Sequence, residues 1–203
     1  MKKRGVAVTW LVMVGWGAAL AIGEWRMADF ASRPAPATAA IARWPADSGL
    51  AGPASAPVVV LFAHPMCPCT RATLTELGRL LARDERRGAA RADVRIVFVW
   101  DDATAPDWNA RGSWDAAQAI AGAVVTTDLG GAEARRFGAT TSGELLLYAG
   151  DGTLRVHGGI TAARGHEGDN AGASAVAALL AGDAPATVET PVFGCPLFGS
   201  RAP

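Results

Sequence analysis

The stretch VVVLFAHPMCPCTRATLTELGRLL, residues 58–81, changes from one structural pattern to another within a few positions. Its first six residues are apolar and mostly β-branched or aromatic, which is typical of a strand buried on both faces. Leucines then recur at positions 74, 77 and 81 and place an apolar stripe along a helix. Between the two patterns lie Cys67 and Cys69, separated only by Pro68. The stretch predicts a strand that leads into a helix, with two thiols at the junction.

The start of this helix decides what the two cysteines can do. Pro68 is suited to the first helical position, where a missing N–H costs nothing, and Cys67 would then be the N-cap, with its sulfur facing unpaired amides. A thiolate there is stabilised, and its pKa falls from about 8.5 into roughly the 3.5–7.5 range. Cys67 is therefore predicted to be the attacking nucleophile and Cys69 the resolving thiol. Thr73 and Glu76 also match a capping box, which would start the helix later and leave both cysteines in a loop.

The N-terminus combines a positive cluster with a long uncharged segment. Residues 1–4 include two lysines and an arginine, and residues 5–23 contain no charged side chain. As a helix, this uncharged segment would span roughly 28 Å, close to the hydrocarbon thickness of a bilayer. The positive charges favour a cytoplasmic N-terminus at residues 1–4, with the rest of the chain exported. Residues 5–25 are therefore predicted to be a transmembrane anchor or a signal peptide.

A cleaved signal peptide is the alternative, because Ala19-Leu20-Ala21 matches an A-x-A cleavage site. The apolar segment is longer than a usual signal-peptide core, which favours the uncleaved anchor. Both interpretations place the later residues outside the cytoplasm. The predicted location is the bacterial inner membrane, spanned once, with the domain facing the periplasm.

The rest of the chain divides into a linker, one domain and a tail. Residues 26–56 are rich in proline and alanine, which predicts a semi-extended linker. Trp44 and Leu50 are expected to pack on the domain, since a solvated linker has no use for them. The domain is predicted at residues 57–182. The 203 residues carry 19 basic and 19 acidic side chains, so no electrostatic footprint for nucleic acid is present.

Strand and helix patterns alternate within the domain. Strand-like runs follow at residues 93–100 and 123–128, each separated from the next by a helical pattern. Two further strands flank Asp151-Gly152, a dipeptide typical of a hairpin turn. A last helix, about residues 171–180, follows the potential caps Asp169 and Asn170.

This order, β-α-β-α-β-α-β-β-α with a cysteine pair at the first strand–helix junction, resembles the thioredoxin fold. The resemblance covers residues 57–182 and rests on FAHPMCPCT and FGATTSGELLLYAGDGTLRVHGG. With GGITAARGHEGDNAG after them, these segments look like the membrane-anchored RedB-like branch of that superfamily. The resemblance implies an α/β domain, a central mixed sheet with flanking helices, behind an N-terminal transmembrane helix. The resemblance adds more to fold than to mechanism. From the cysteine pair we predict thiol–disulfide exchange at Cys67 and Cys69 without a required cofactor, with an exported thiol or disulfide protein or a small thiol as partner.

The sequence departs from the thioredoxin pattern in its cysteine spacing. The family has Cys-x-x-Cys, whereas a disulfide across Pro68 would close a tighter ring. Strained disulfides are more easily reduced, so an oxidising potential is expected for this pair. Another alignment places Met66 at the family's first cysteine and leaves Cys69 without its usual partner.

A second departure lies before the hairpin. Gly143, preceded by Ser142, stands where the family has a cis-proline that packs against the disulfide. The absence of this proline makes ordinary thiol–disulfide exchange less certain and opens room for a ligand. Alternatively, Gly143 is a simple turn residue.

Soft-metal binding is the alternative function, with Cu(I) or zinc as the ion. His64, Met66, Cys67 and Cys69 lie within six residues and offer imidazole, thioether and thiolate donors, which suit these ions. The predicted metal set consists of His64, Cys67, Cys69, Cys195 and His166, with His157 as a further candidate. Structural roles are the alternatives: loop hydrogen bonding for His64, core packing for Met66, a strand position for His157, and loop structure or helix capping for His166.

The tail at residues 183–203 contains the third cysteine, Cys195, within the apolar segment PVFGCPLF. In an exported protein a leftover thiol indicates a partner, between molecules or across the domain. Docking of the tail would bring Cys195 to the Cys67–Cys69 pair as a third thiol or a third ligand, and a buried bystander is the alternative. A peroxiredoxin site is disfavoured, because Val60 and His64 stand where its proline and threonine would precede Cys67. A non-catalytic interaction domain remains open.

Overall fold

The computed structural model describes residues 2–39, 41–86, 88–89, 91–100, 111–183 and 188–199. It consists of two compact units, Met1–Arg33 and Pro34–Pro203.

The first unit is one helix, α1 (Lys2–Ser32). Its segment Val8–Ser32 has a mean hydropathy of 1.3, so by length and composition it is able to cross a bilayer, a test that a signal helix also passes. The helix includes the apolar residues predicted at 5–25 and continues through the first residues of the predicted linker.

The second unit is built on a six-stranded sheet in the order β3-β2-β1-β4-β5-β6. β1 to β3 are parallel, β4 is antiparallel to both β1 and β5, and β6 is parallel to β5. Because β4 is antiparallel to β1, it begins at the sheet edge where β1 ends, and Phe62 pairs with Glu144. The strands are β1 (Val58–Ala63), β2 (Asp93–Trp100), β3 (Ala123–Leu129), β4 (Glu144–Tyr148), β5 (Leu154–Gly158) and β6 (Val188–Glu189).

Helices cover both faces of the sheet, which explains why β1 is apolar throughout. Alternate residues of a strand point to opposite faces: Val59 and Leu61 join the core under α2, α3 and α5, whereas Val58 and Phe62 join the core under α4. The four helices are α2 (Cys69–Arg86), α3 (Arg111–Gln118), α4 (Ala132–Arg136) and α5 (Ala171–Leu180). The predicted order of strands and helices is confirmed, and so is the fold class. The fold is thioredoxin-like.

The segment between α1 and β1 belongs to the domain rather than to a spacer. The Trp44 N–H donates to the Gly152 carbonyl at 2.9 Å, and the indole packs edge-on against Phe137 and Tyr148 at centroid distances of 4.9 and 5.3 Å. Leu50 packs against the same core. The predicted docking of Trp44 and Leu50 is confirmed, and the compact unit begins well before residue 57 because these side chains complete its second core.

The last predicted helix has its predicted bounds. α5 begins at Ala171, and the Asn170 Oδ1 accepts a hydrogen bond from the Ala173 N–H at 2.8 Å. Asn170 rather than Asp169 is therefore the cap. The tail that follows is described from residue 188 to 199, where β6 extends the sheet.

Candidate thiol site

The first turn of α2 starts directly after the two-cysteine motif. The Thr70 N–H donates to the Cys67 carbonyl at 3.1 Å, and the Cys67 N–H donates to the His64 carbonyl at 3.1 Å. The first helical residue is Cys69, so the helix begins one residue later than predicted and Pro68 precedes it. The helix therefore starts beside the thiols, as the interpretation based on Pro68 expected.

The alternative start at a capping box is not observed. Thr73 lies inside α2, and its hydroxyl donates to the Cys69 carbonyl one turn earlier at 3.4 Å. Glu76 is also helical, and its carboxylate accepts from Arg79 at 3.0 Å and from the Gly168 N–H at 3.0 Å. These two side chains therefore stabilise the helix and the nearby loop instead of capping an N-terminus.

The Cys67 sulfur is buried among hydrogen-bond donors. Cys67 is 3% exposed. Hydrogen bonds from the thiol of Cys195 and from the thiol of Cys69 lower the pKa of Cys67 far below its usual range, and the backbone N–H groups of Cys195 and Cys69 add to this effect against the cost of burial. These hydrogen bonds favour the thiolate form of Cys67. Its role as the attacking nucleophile stays a prediction.

The other two thiols are half-buried and hold their protons more strongly. The hydrogen bond to Cys67, burial, and the negative charge of Cys67 raise the pKa of Cys69 and that of Cys195 well above the ordinary value. The positive charge of Arg164 opposes this rise at both cysteines, and the Gly165 N–H donates to Cys69. Cys67 is thus the common partner of two protonated thiols, and all three cysteines are free of disulfides.

The tail reaches the site by pairing with the segment before β4. The Ser142 N–H donates to the Cys195 carbonyl at 2.8 Å, and the Leu197 N–H donates to the Thr140 carbonyl at 2.8 Å. Gly194 lies so close to this segment that a Cβ would stand 1.8 Å from the Ser142 carbonyl oxygen. The structure therefore places Cys195 against Cys67. The sequence left three roles open for Cys195, which were a third thiol, a third ligand and a buried bystander.

Gly143 takes the place of the family's proline for a conformational reason. Its φ is +90°, in the region that favours glycine, whereas proline is fixed near −65°. Its N–H donates to the Phe62 carbonyl at 2.8 Å, a bond that proline cannot make. A Cβ at position 143 would stand 3.2 Å from the Thr73 Oγ1. The tail contacts the preceding residue, Ser142, whose N–H donates to the Cys195 carbonyl.

A buried hydroxyl pair ties the three segments of the site together, and the sequence analysis missed it. The Ser142 Oγ accepts from the His64 N–H at 2.9 Å and lies 3.0 Å from the Thr70 Oγ1. The Thr70 hydroxyl donates to the His64 carbonyl at 3.0 Å. Because the Thr70 hydroxyl donates its only proton to this carbonyl, the Thr70 Oγ1 accepts the hydrogen bond from the Ser142 hydroxyl. No motif signals this pair, because its members are 72 positions apart.

Arg164 is the second group that sequence reasoning missed. Its guanidinium donates to the Gly194 carbonyl, so it connects the loop after β5 to the tail. His166, the predicted ligand in the same loop, is exposed, and its Nδ1 donates to the Arg164 carbonyl at 2.9 Å. The loop does approach Cys69, through the Gly165 N–H.

The remaining predicted ligands are engaged elsewhere. The His64 Nδ1 accepts from the Met66 N–H at 3.2 Å, which is the loop role given as the alternative. Met66 is 45% exposed, so its predicted core role is wrong. His157 is buried and its Nε2 lies 2.7 Å from the Glu144 Oε1. Within the described part of the chain, no three or more His, Cys, Asp or Glu side chains are arranged to hold a metal ion. The predicted metal set therefore does not fit an ion without rearrangement.

Comparisons with known proteins support the fold. No family model matches the chain, and no curated protein does. Among solved structures, an uncharacterized conserved protein of Geobacillus kaustophilus matches with a TM-score of 0.58 at 16% identity, over 85% of this chain and 94% of that one. A hypothetical protein of Sinorhizobium meliloti matches with a TM-score of 0.56 at 22% identity, over 71% of this chain and 80% of that one.

A more distant match has an activity in its name. A secreted Mycobacterium tuberculosis disulfide oxidoreductase homologous to E. coli DsbE aligns with a TM-score of 0.38 at 19% identity, over 49% of this chain and 66% of that one. A score this low carries no argument about the site. None of these names mentions the RedB-like branch, which stays a prediction.

Proposed function

We propose that this protein carries out thiol–disulfide exchange outside the cytoplasm, with Cys67 as the attacking nucleophile and Cys69 as its first partner. The observation that carries the proposal is the setting of the Cys67 sulfur, which is next to a helix N-terminus and accepts hydrogen bonds from two thiols and two backbone N–H groups. These donors stabilise the thiolate, which is the form that attacks a disulfide.

The reaction moves two electrons. The Cys67 thiolate attacks one sulfur of a substrate disulfide, the new Cys67–substrate bond forms, and the first substrate thiolate leaves and takes a proton. Cys69 then loses its proton and attacks the Cys67 sulfur, so that the second substrate thiol leaves and a Cys67–Cys69 disulfide forms. The substrate is reduced to two thiols while the pair is oxidised, and the reverse sequence oxidises a dithiol.

Access to Cys67 requires movement of the tail. Cys67 is 3% exposed, and the backbone pairing of the tail with residues 140–142 holds Cys195 against it. Reactive cysteines need contact with their substrates, so the reaction begins with local opening of the tail. Local opening of an edge segment costs less than global unfolding.

The N-terminal helix supplies the cellular context of this proposal. An apolar helix of this length could anchor the protein in a membrane. With the basic residues before it on the cytoplasmic side, the domain faces the periplasm of a bacterial inner membrane. Its partners there are exported proteins with thiols or disulfides, or small thiols. Membership of the RedB-like branch is part of the same proposal.

The test is disulfide reduction by the full-length protein in detergent, with a fluorogenic glutathione disulfide as substrate and dithiothreitol as reductant. We expect Cys67→Ser to reduce turnover to the background rate. The double variant Cys69→Ser/Cys195→Ser is reduced, freed of dithiothreitol and then mixed with the substrate. No second thiol remains, so a glutathione adduct should accumulate on Cys67 and appear by mass spectrometry. Full turnover in the Cys67→Ser variant would show that the proposal is wrong.

Soft-metal binding is the second candidate, and the meeting of three cysteines is the observation that favours it. Cu(I) and zinc both accept sulfur ligands, and Cys67, Cys69 and Cys195 would supply them after rearrangement. Anaerobic titration of the full-length protein with Cu(I) against a competing chelator tests it. Stoichiometric binding lost in Cys67→Ser supports metal handling, and the absence of competition at any ratio excludes it.

A further inference from the structure

We propose that Cys195 is a third redox residue, which takes over the disulfide from the Cys67–Cys69 pair, so that Cys67–Cys195 is the stable oxidised form. This inference rests on the proposed function and adds to it the role of the tail. It is carried by the placement of the tail, not by the presence of an odd cysteine.

The tail is built to present Cys195 at this point. Hydrogen bonds on either side of Thr141, from Ser142 to Cys195 and from Leu197 to Thr140, fix the backbone at 2.8 Å each. Thr141 and Pro196 form a β-bridge between them. Leu197 is buried in the core under α4, and Arg164 donates to the Gly194 carbonyl. Contacts with three different segments therefore position one thiol.

Cys67 is the sulfur that the two other thiols share. Its side chain hydrogen-bonds with both Cys195 and Cys69. An exchange in which one sulfur enters and another leaves needs a central sulfur that contacts both. Cys67 meets this requirement, with Cys195 as the entering and Cys69 as the leaving group.

The direction of the disulfide transfer follows from the sizes of the rings that the Cys67–Cys69 and Cys67–Cys195 disulfides would close. A Cys67–Cys69 disulfide closes a ring that contains only Pro68, a residue of fixed φ, and strained disulfides are more easily reduced. A Cys67–Cys195 disulfide closes a loop that contains most of the domain, which is the case in which a cross-link stabilises the folded state most. Its two residues are already held together by backbone pairing.

The step is balanced without another reactant. The Cys195 thiol loses its proton and attacks the Cys67 sulfur. The Cys67–Cys195 bond forms, the Cys67–Cys69 bond breaks, and the Cys69 thiolate takes the proton. No net oxidation occurs, because one disulfide is exchanged for another, and the first disulfide comes from the substrate.

Tryptic peptides separate the two disulfides. Cleavage after the arginines at positions 43, 71, 164 and 201 gives one peptide, residues 44–71, with Cys67 and Cys69, and another, residues 165–201, with Cys195. The full-length protein in detergent is equilibrated with glutathione and glutathione disulfide, quenched with acid, alkylated and digested without reductant. We expect the two peptides to be joined in the wild type and in Cys69→Ser, and an internal disulfide in peptide 44–71 only in Cys195→Ser.

The reduction potential supplies an independent measurement. We expect the disulfide of the wild type to be at least tenfold harder to reduce than that of Cys195→Ser, which corresponds to about 30 mV for a two-electron couple. Cys195→Ala serves as a second variant in case serine disturbs the tail. An internal disulfide in the wild-type peptide 44–71, with a potential unchanged in both variants, would overturn the role of Cys195 and leave exchange at Cys67 intact. Full disulfide-reductase turnover by the Cys67→Ser variant would instead refute the proposed function.

Discussion

The hydrogen bond from Cys195 to Cys67 gives a prediction whose size follows from the structure. Cys195→Ala removes the first of the interactions that stabilise the Cys67 thiolate, while the Cys69 thiol and both backbone N–H groups remain. Hydrogen bonds to charged groups contribute about 1.5–3 kcal/mol, and a thiol is a weak donor, so the lower end applies. At 1.36 kcal/mol per pKa unit, about 1.5 kcal/mol raises the pKa of Cys67 by about 1.

The assay is the ultraviolet absorbance of the thiolate as a function of pH, measured on the reduced full-length protein in detergent. Cys67→Ser identifies the absorbance step that belongs to Cys67. Cys195→Ser is the matched control, because its hydroxyl retains a donor at the same place, and we expect it to raise the pKa less than alanine does. An unchanged pKa of Cys67 in Cys195→Ala would refute the argument that the tail stabilises this thiolate.

Three further substitutions test the surroundings of the site. Gly194→Ala places a Cβ 1.8 Å from the Ser142 carbonyl oxygen. We therefore expect the tail to shift and Cys67 to be alkylated faster at constant pH. Gly78→Ala is the control, because its Cβ would have its nearest neighbour at 3.7 Å and should not change the alkylation rate. Ser142→Ala removes the acceptor of the part-buried His64 N–H and breaks the buried contact with the Thr70 hydroxyl. The loss should cost about 1–3 kcal/mol of unfolding free energy in urea under reducing conditions, and no loss would contradict the hydroxyl pair. Burial alone would raise the pKa of Glu144, but the hydrogen bonds from His157, Thr140 and Thr38 lower it below its usual 4.5. The stabilisation by this lowered pKa is therefore present above pH 4.5 and is lost as the pH falls through the folded value. Urea unfolding from pH 3 to 7 should show this loss in the wild type and a flatter profile in Glu144→Gln, and identical profiles would refute it.

The elements that follow from local patterns could be predicted from the sequence. β1 is apolar at every position because helices cover both faces of the sheet, and Asn170 caps α5 by a contact three residues away. Both signals lie within a few residues of the element that they predict. The helix start at the cysteines was predictable to one residue for the same reason.

The contacts between distant segments could not be predicted in this way. The linker interpretation of residues 26–56 rests on composition, but the packing of Trp44 against Phe137 and Tyr148 depends on where the sheet places those rings. The pair of His157 with Glu144 depends on the register of β4 and β5, in which His157 stands opposite Leu146. Register and burial are set by the assembled sheet. The sequence pattern therefore places His157 in a strand but does not indicate its partner, Glu144.

Gly143 and the third cysteine, Cys195, are parts of one arrangement. The glycine at 143 has a φ of +90° and uses its N–H to hold the Phe62 carbonyl, and both features exclude a proline there. The backbone of its neighbour, Ser142, then meets the tail at a distance that only glycine at 194 permits. Taken alone, the absence of the proline makes ordinary exchange less certain, and the odd cysteine indicates only that a partner exists. The pairing of Ser142, directly before Gly143, with the backbone of Cys195 places the third thiol against Cys67.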